Sequence, residues 1–327
     1  MTGRVITVGA VNVDLVIRGK QLPAPGQTVI GGTFEQHQGG KAANQAVAAA
    51  RLGVPSAFVG AIGDDEFGAA AHDALEAEGV DLRGLRTVAG GKTGVALILV
   101  DEAGENEISV ASGLNAEVSA DDVREGLSAH RLAAADVVLV SCEIPPTAAR
   151  AALSAGRDAH ARTILNPAPA VELDRSIFGL ADVLTPNRGE LAAIASAEGR
   201  RTGRPFGSDQ DPAQAARSLL APNPEGPGVA LAVVVTLGAS GALFVRAHGS
   251  VQDVPAPRLL SVDSTGAGDA FNGALAAGLA EGRPLDEALQ RAVVAGSLAT
   301  TVVGAREGMP SGTELDAFLS GLTRPPS

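Results

Sequence analysis

The chain has no tryptophan and no tyrosine, and aromatic residues make up 2% of its 327 positions. A surface for stacking nucleic-acid bases has almost nothing to be built from. Positive charge is the second shortage. Lys and Arg total 25 against 37 Asp and Glu, a net charge of −12, with no basic run. That balance argues against nucleic acid and against an anionic membrane surface as partner. Cysteine is the third: Cys142 is alone, so no disulfide framework can form and a reducing compartment is expected. It reads as a small buried residue at a strand end rather than as a nucleophile. No apolar run approaches the roughly 20 residues that span a bilayer. The opening "MTGRVITVGAVNVD" lacks the apolar stretch of a signal peptide. A cytoplasmic protein is expected. The five histidines (37, 72, 130, 160 and 248) show no metal-ligand spacing, and His37 reads as a polar strand residue.

Small aliphatic residues are abundant. Hydrophobic residues reach 45%, so the core must be Ala, Val, Leu and Ile. β-Branched runs at 4–11, 56–63, 136–141, 162–167, 182–186 and 231–238 read as strands. Most are apolar on both faces, as buried parallel strands are. Helical stretches lie near 40–52, 67–79, 121–133, 146–160, 187–198, 211–220, 268–281 and 285–302. This alternation predicts an α/β fold over 1–327, a Rossmann-like, mostly parallel sheet with helices on both faces. Residues 13–38 and 92–112 hold strands without helices and predict a small antiparallel lid. Gly/Pro-rich surface loops are expected at 199–212 and 222–228, and a frayed tail at "TRPPS".

Two segments imitate a P-loop. "GGKTG" would need its opening glycine where Arg86 stands, and "GGKAAN" has Glu35 there and Ala42 in place of Ser/Thr. No strand is followed by a dinucleotide-type glycine pattern with a later acid. "DSTGAGD" (263–269) remains. It opens a helix, where unpaired N–H groups and the positive dipole end collect, and glycine lets backbone close on a phosphate. Gly266, Ala267 and Gly268 are thus a candidate anion hole. Gly-rich strand-to-helix turns are also common as plain structure. Asp269 beside them would be the base that takes a hydroxyl proton while the amides hold a transferring phosphoryl group.

"DSTGAGDAFNGA" (263–274) and "QGGKAANQAVAAARLG" (38–53) resemble the two signatures of the ribokinase (PfkB-type) family of sugar kinases. "VGAVNVDLV", "PAPGQTV", "GDDEFG", "TGVALILVDEAGENEI", "LNPAPA", "TPNRGE" and "VTLGASGAL" follow in the family's order over nearly the whole chain. The resemblance implies sugar contacts from Asn12, Asp14, Gly40, Lys41, Asn44 and Glu143, with Asp269 as base. Carboxylate, amide and ammonium groups suit sugar hydroxyls, each both donor and acceptor. It implies that Asn187 and Glu190 help organise Mg²⁺ and the phosphates, and that Thr236, Gly238, Gly241 and Gly268 approach ATP. It implies an activating K⁺ near Asp263, Thr265 and the carbonyls of Thr300, Val302 and Gly304. Here "VVGAREGMP" replaces the usual Gly-Ala-x-Pro-Ser, with Gly308 at the serine position. Val293 stands where an adenine-lining Asn or His is often found. The implied reaction is ATP-dependent phosphorylation of a pentose primary hydroxyl, D-ribose at O5, by a homodimer joined through its lids. The alternatives are a kinase of the same fold acting on deoxyribose, fructose or a nucleoside, and a sugar-binding regulator without catalysis.

Overall fold

The computed structural model describes residues 2–202, 211–223 and 226–322. In chain order the elements are β1 (Val5–Val8), β2 (Asn12–Arg18), β3 (Thr33–Gly39), α1 (Lys41–Arg51), β4 (Ser56–Gly63), α2 (Glu66–Ala77), β5 (Asp81–Val88), β6 (Gly94–Val100) and β7 (Asn106–Ala111). Then come α3 (Ala120–His130), β8 (Val137–Ser141), α4 (Pro146–Asp158), β9 (Arg162–Asn166), β10 (Val183–Leu184), α5 (Arg188–Thr202) and α6 (Pro212–Leu220). The last are β11 (Ala232–Thr236), β12 (Ala242–Arg246), β13 (Val251–Val254), α7 (Ala267–Ala280), α8 (Leu285–Ala299) and α9 (Gly312–Leu322).

Nine strands form the main sheet in the order β13-β12-β11-β10-β9-β8-β1-β4-β5. The seven from β11 to β5 run parallel, and β12 and β13 fold back antiparallel at one edge. Successive residues of the central strands feed different layers. Val138 and Val140 pack with α3 to α6, whereas Val137 and Leu139 pack with α7 and α8. Both faces are covered, which is why these strands carry no polar alternation.

The remaining four strands make a second sheet, β3-β2-β6-β7. Its two outer ladders are antiparallel and the central β2–β6 ladder is parallel. Its strands fall in the two helix-free segments around 13–38 and 92–112, and they leave the main body at Asn12 and Gly94.

The sequence reading differs from the structure in three respects. The run at 4–11 ends as a strand at Val8, and a new strand begins at Asn12 in the other sheet. β5, β12, β13 and α9 were not anticipated. α5 continues to Thr202, so the loop expected from 199 begins as helix. Residues 203–210, 224–225 and the tail from 323 lie outside the described residues. Arg175, fully buried, pairs with Glu198 of α5 at 3.2 Å and stacks on Phe178, anchoring that extended helix.

α1 and α7 cross closely enough to place the site. A Cβ on Gly273 would stand 2.5 Å from the Ala48 Cβ and 2.7 Å from the Gln45 carbonyl oxygen. Only a bare glycine lets the two helices approach this far, and that contact carries Asn44 and Gln45 to Asp269.

Candidate active site

The predicted residues collect at the start of β2, at the carboxyl ends of β8, β10 and β11 and at the first turns of α1, α5 and α7. In open α/β sheets this is where ligands bind.

α7 begins after Gly266, whose φ of 75° is left-handed. A Cβ there would meet the Ala305 carbonyl oxygen at 2.5 Å, so both conformation and space require glycine. The Ala267 amide turns back to the Ser264 carbonyl at 3.2 Å. Among the described residues the amides of Gly266, Gly268 and Asp269 carry no hydrogen bond, as expected of a helix start. Nothing lies within 4 Å of a Cβ placed on Gly268, so the space above the turn is open.

Asp269 is only 7% exposed. Its Oδ2 accepts from Asn44 Nδ2 and its Oδ1 from Gln45 Nε2, both at 3.1 Å. Burial pushes its carboxyl above the ordinary aspartate range, while Lys41, the two amides and Arg306 pull the other way. Gln45 Nε2 also donates to Asn166 Oδ1 at 3.0 Å, and Asn166 Nδ2 donates to the Thr185 carbonyl at 3.0 Å. Thr185 Oγ1 donates to Asn272 Oδ1 at 2.6 Å, and Asn272 Nδ2 returns to the Gly268 carbonyl at 2.8 Å. One buried polar circuit thus fixes the acid and the turn that carries it.

The expected sugar residues converge. Gly40 caps α1 with φ 86°, and a Cβ on it would strike the Ala10 carbonyl at 2.6 Å. The Lys41 amide donates to Glu143 Oε2 at 2.7 Å. The Lys41 ammonium lies in the field of Asp269, Glu143, Glu190 and Asp14; burial lowers its proton affinity, and these four acids raise it further than burial lowers it. Burial lifts the Glu143 carboxyl to about 7 against the pull of Lys41. Asp14 is also raised by burial, opposed first by Arg306; its carboxylate lies over Gly39, whose Cβ would stand 2.3 Å from Oδ1. Asn12 is buried, and its Oδ1 accepts from Asn115 Nδ2 at 2.8 Å.

On the other side of Lys41, Asn187 and Glu190 bond reciprocally. The Asn187 amide donates to Glu190 Oε2 and the Glu190 amide to Asn187 Oδ1, both at 2.8 Å. This is a capping box for α5, so the pair has a structural task whatever else it holds. Burial raises the Glu190 carboxyl, countered by the Asn187 amide and Lys41. Thr236 bridges to Asn187 at the end of β11. Gly238 is open to its surroundings, but a Cβ on Gly241 would stand 2.0 Å from the Val254 carbonyl oxygen. Packing on β13 explains that glycine. Val293 is 4% exposed within α8.

Asp263 staples two loops. Its Oδ1 accepts from the Thr265 amide at 2.9 Å and hydroxyl at 2.7 Å, and its Oδ2 from the Gly304 amide at 2.9 Å. The Thr300 carbonyl accepts the amides of Val262 and Asp263 at 2.8 and 3.2 Å. Val302 is exposed. Gly308 has no room for a side chain: its Cβ would stand 2.2 Å from the Ala299 carbonyl oxygen.

Sequence reasoning missed Gln45, Asn115, Asn166 and Arg306. A glutamine inside the alanine-rich "KAANQAVAAAR" was the available signal for Gln45. His37 pairs with Glu35 at 3.2 Å and Glu307 at 3.3 Å, joining β3 to the segment after Gly304. Cys142 is buried and its thiol pushed up to about 12 by burial, then by Glu190 and Glu143; it is no nucleophile. The histidine spacing is corrected at one point: His72, Asp73 and Glu76 on the outer side of α2 place ligand atoms within 4.8 Å of one another. Among the described residues no helix is long and apolar enough to cross a membrane.

A parallel sheet ending in an acid-bearing glycine turn, with a small sheet beside it, is a sugar-kinase arrangement. The family model described as pfkB family carbohydrate kinase matches residues 2–312. A ribokinase of Schizosaccharomyces pombe is 33% identical over 318 residues, covering 95% of this chain and 96% of the relative. A ribokinase of Haemophilus influenzae is 34% identical over 312 residues, covering 95% and 97%. The solved ribokinase of Arabidopsis thaliana, complexed with ribose and ATP, superposes with a TM-score of 0.83 at 29% identity, covering 98% of this chain and 99% of that one. The chain belongs to the pfkB family of carbohydrate kinases.

Proposed function

We propose that the chain is a kinase that transfers the γ-phosphoryl group of ATP to O5 of D-ribose. The observation that carries this reading is the buried Asp269 carboxylate in the same helical turn as the open amides of Gly268 and of its own residue. Full-length likeness to ribokinases, one of them solved with ribose and ATP, supports the choice of substrates.

Asn12, Asp14, Asn44 and Glu143 bind the sugar hydroxyls, and Gly40 brings backbone close to them. Asp269 takes the O5 proton as the new P–O bond forms, and its raised proton affinity suits a general base. The amides of Gly266, Gly268 and Asp269 receive the charge that gathers on the phosphoryl oxygens. Lys41, between the sugar acids and Glu190, bridges the two halves of the site. Thr236 and Gly238 lie against the nucleotide.

Glu190 and Asn187 would hold Mg²⁺ through waters, an all-oxygen setting that suits this hard ion; when bound it neutralises phosphate charge. Asp263, Thr265 and the carbonyls of Thr300, Val302 and Gly304 would hold K⁺, with Gly308 contributing backbone alone. The loop fits a cation in its oxygen donors. Hydrogen bonds from Gly304 and Thr265 outweigh burial and keep Asp263 ionised.

The four-stranded sheet closes over the sugar and limits wasteful hydrolysis. Ile17, Phe34 and Leu97 lie on its face opposite Asp14 and are 46%, 64% and 54% exposed. We take this face and the open strand edges as the contact of a homodimer, which light scattering of the purified protein tests. A lone buried thiol and an acidic surface suit residence in the cytoplasm.

The deciding experiment is ADP release measured over ribose, deoxyribose, fructose, adenosine and pseudouridine, with and without K⁺. Ribose should give the highest kcat/KM. Preference for another acceptor overturns the substrate, and ribose binding without ADP release overturns the enzyme.

A further inference from the structure

We propose that Arg306 is a positioning residue for the base: it fixes the side-chain amide of Asn44 and places a fixed cation next to Asp269. The inference rests on the phosphotransfer reading above.

Arg306 is 6% exposed, an unusual place for a guanidinium. Its Nε donates to Asn44 Oδ1 at 2.9 Å and its Nη2 to the Gly39 carbonyl at 3.3 Å. Nη1 is buried and has no hydrogen-bond partner among the described residues. A cation buried with a donor unspent is costly as pure structure, which argues that something else is gained there. The backbone around it is pinned. Its carbonyl accepts from Arg51 Nη1, and its amide donates to Glu307 Oε2 at 3.2 Å.

Asn44 is the link. An amide can present either its oxygen or its NH₂ to Asp269. With Oδ1 accepting from Arg306, Nδ2 must face Asp269 Oδ2, as it does at 3.1 Å. A flipped amide would set NH₂ against Nε–H and oxygen against carboxylate. The orientation of the group that holds the base is therefore decided on its far side.

The charges around Asp269 are Lys41 of α1, Arg306, and the acids Asp14, Glu143 and Glu190. Of these charges Lys41 and Arg306 favour the ionised acid, together with the hydrogen bonds from Asn44 and Gln45. A guanidinium keeps its charge throughout the pH range in which the enzyme can be assayed.

Two replacements separate the parts. Arg306→Met fills the same space without donor or charge. Arg306→Gln puts an amide nitrogen where Nε stood and so keeps the Asn44 bond while removing the charge. A charge-assisted hydrogen bond of this kind corresponds to about a ten- to hundredfold effect, so Arg306→Met is expected to lower kcat/KM for ribose by that factor. Arg306→Gln should recover most of the loss at alkaline pH, with its acidic limb moved to higher pH. In an Asn44→Ala background Arg306→Met should cost less than about threefold, because the link is already gone.

Additive losses in that cycle, no recovery in Arg306→Gln, or an unmoved acidic limb each overturn the inference. Thermal denaturation checks that the variants fold. If Arg306→Met does not, the limb of Arg306→Gln decides alone. A failure of the phosphotransfer reading is distinct: the unaltered protein then releases no ADP with ribose, and the inference falls with it.

Discussion

Replacing Asp269 by asparagine changes one oxygen for NH₂ and should damage the protein in two measurable ways. The carboxylate now accepts from Asn44 on one oxygen and from Gln45 on the other. An asparagine has one acceptor, so its NH₂ must face one of these donors. Neither neighbour can turn to suit it. Asn44 Oδ1 is committed to Arg306, and Gln45 Nε2 to Asn166, whose own NH₂ is committed to the Thr185 carbonyl. One buried donor is left without a partner, at about 1–3 kcal/mol, reduced by whatever relief comes from removing a buried charge. The chemical step loses its base, worth roughly 10²–10⁴ in rate, or about 2.7–5.4 kcal/mol of barrier. The expected result is kcat lowered by that factor, a modestly lower Tm, and ATP binding retained, because the open amides do not depend on the carboxylate. ADP release with saturating ribose, a melting curve and calorimetry with an ATP analogue read the three quantities separately. Near-normal kcat would refute the base assignment. An unchanged Tm with low kcat would instead show that the amide circuit can re-orient.

The Glu143 carboxyl, held near 7 by burial, should make ribose KM depend on pH. Its folded value lies above the ordinary one, so the folded protein takes up a proton as pH falls through about 7 and loses a sugar acceptor. A single group of that pKa predicts about a tenfold rise in KM from pH 8 to pH 6, absent in Glu143→Gln. In the window between the ordinary value and 7 the folded state binds more protons than the unfolded one, so this group makes stability decline as pH rises; urea midpoints at pH 5.5 and 7.5 compare the two. Gly266→Ala should lower kcat and weaken nucleotide binding, since the Ala305 carbonyl leaves no room for Cβ; wild-type kinetics would show that the turn can shift. Gly308→Ser should fail to strengthen K⁺ activation and should lower Tm, because overpacking against the Ala299 carbonyl costs about 1–3 kcal/mol. Stronger activation at unchanged Tm would refute this.

The layered fold was legible because β1, β4, β8, β9 and β11 are predominantly small, apolar or β-branched and, apart from Arg162 and Thr236 at strand ends, buried on both sides. β5, "DLRGLRTV", is an edge strand with charged residues, so its pattern resembles a loop. β12 and β13 escaped because antiparallel pairing at an edge imposes no helix between strands. Asp269 stood out as a candidate from its residue type in a glycine-rich turn, whereas Lys41, Asn44 and Glu143 came only from the family resemblance, because each alone reads as an ordinary loop or helix-start residue. Asn115 and Asn166 were not: a buried amide announces itself only by what it bonds across the fold. Arg306 was visible as part of an unusual "VVGAREGMP" segment, but its partner lies 262 positions away. The Asn187–Glu190 spacing was read for metal chemistry and is also a helix cap, two tasks that share one pattern.

Lys41 and Arg306 are two cations set against four acids, Asp14, Glu143, Glu190 and Asp269, and this bears on admission to the pocket. Ribose is neutral and meets the surplus negative potential without penalty. A nucleotide triphosphate stripped of metal arrives as a bare polyanion and is pushed away. Complexed with a divalent ion it carries less repulsion to the same gate. On the proposed reading the pocket would sort nucleotide by its counter-ion, and excess free ATP should be a poor competitor of the metal complex.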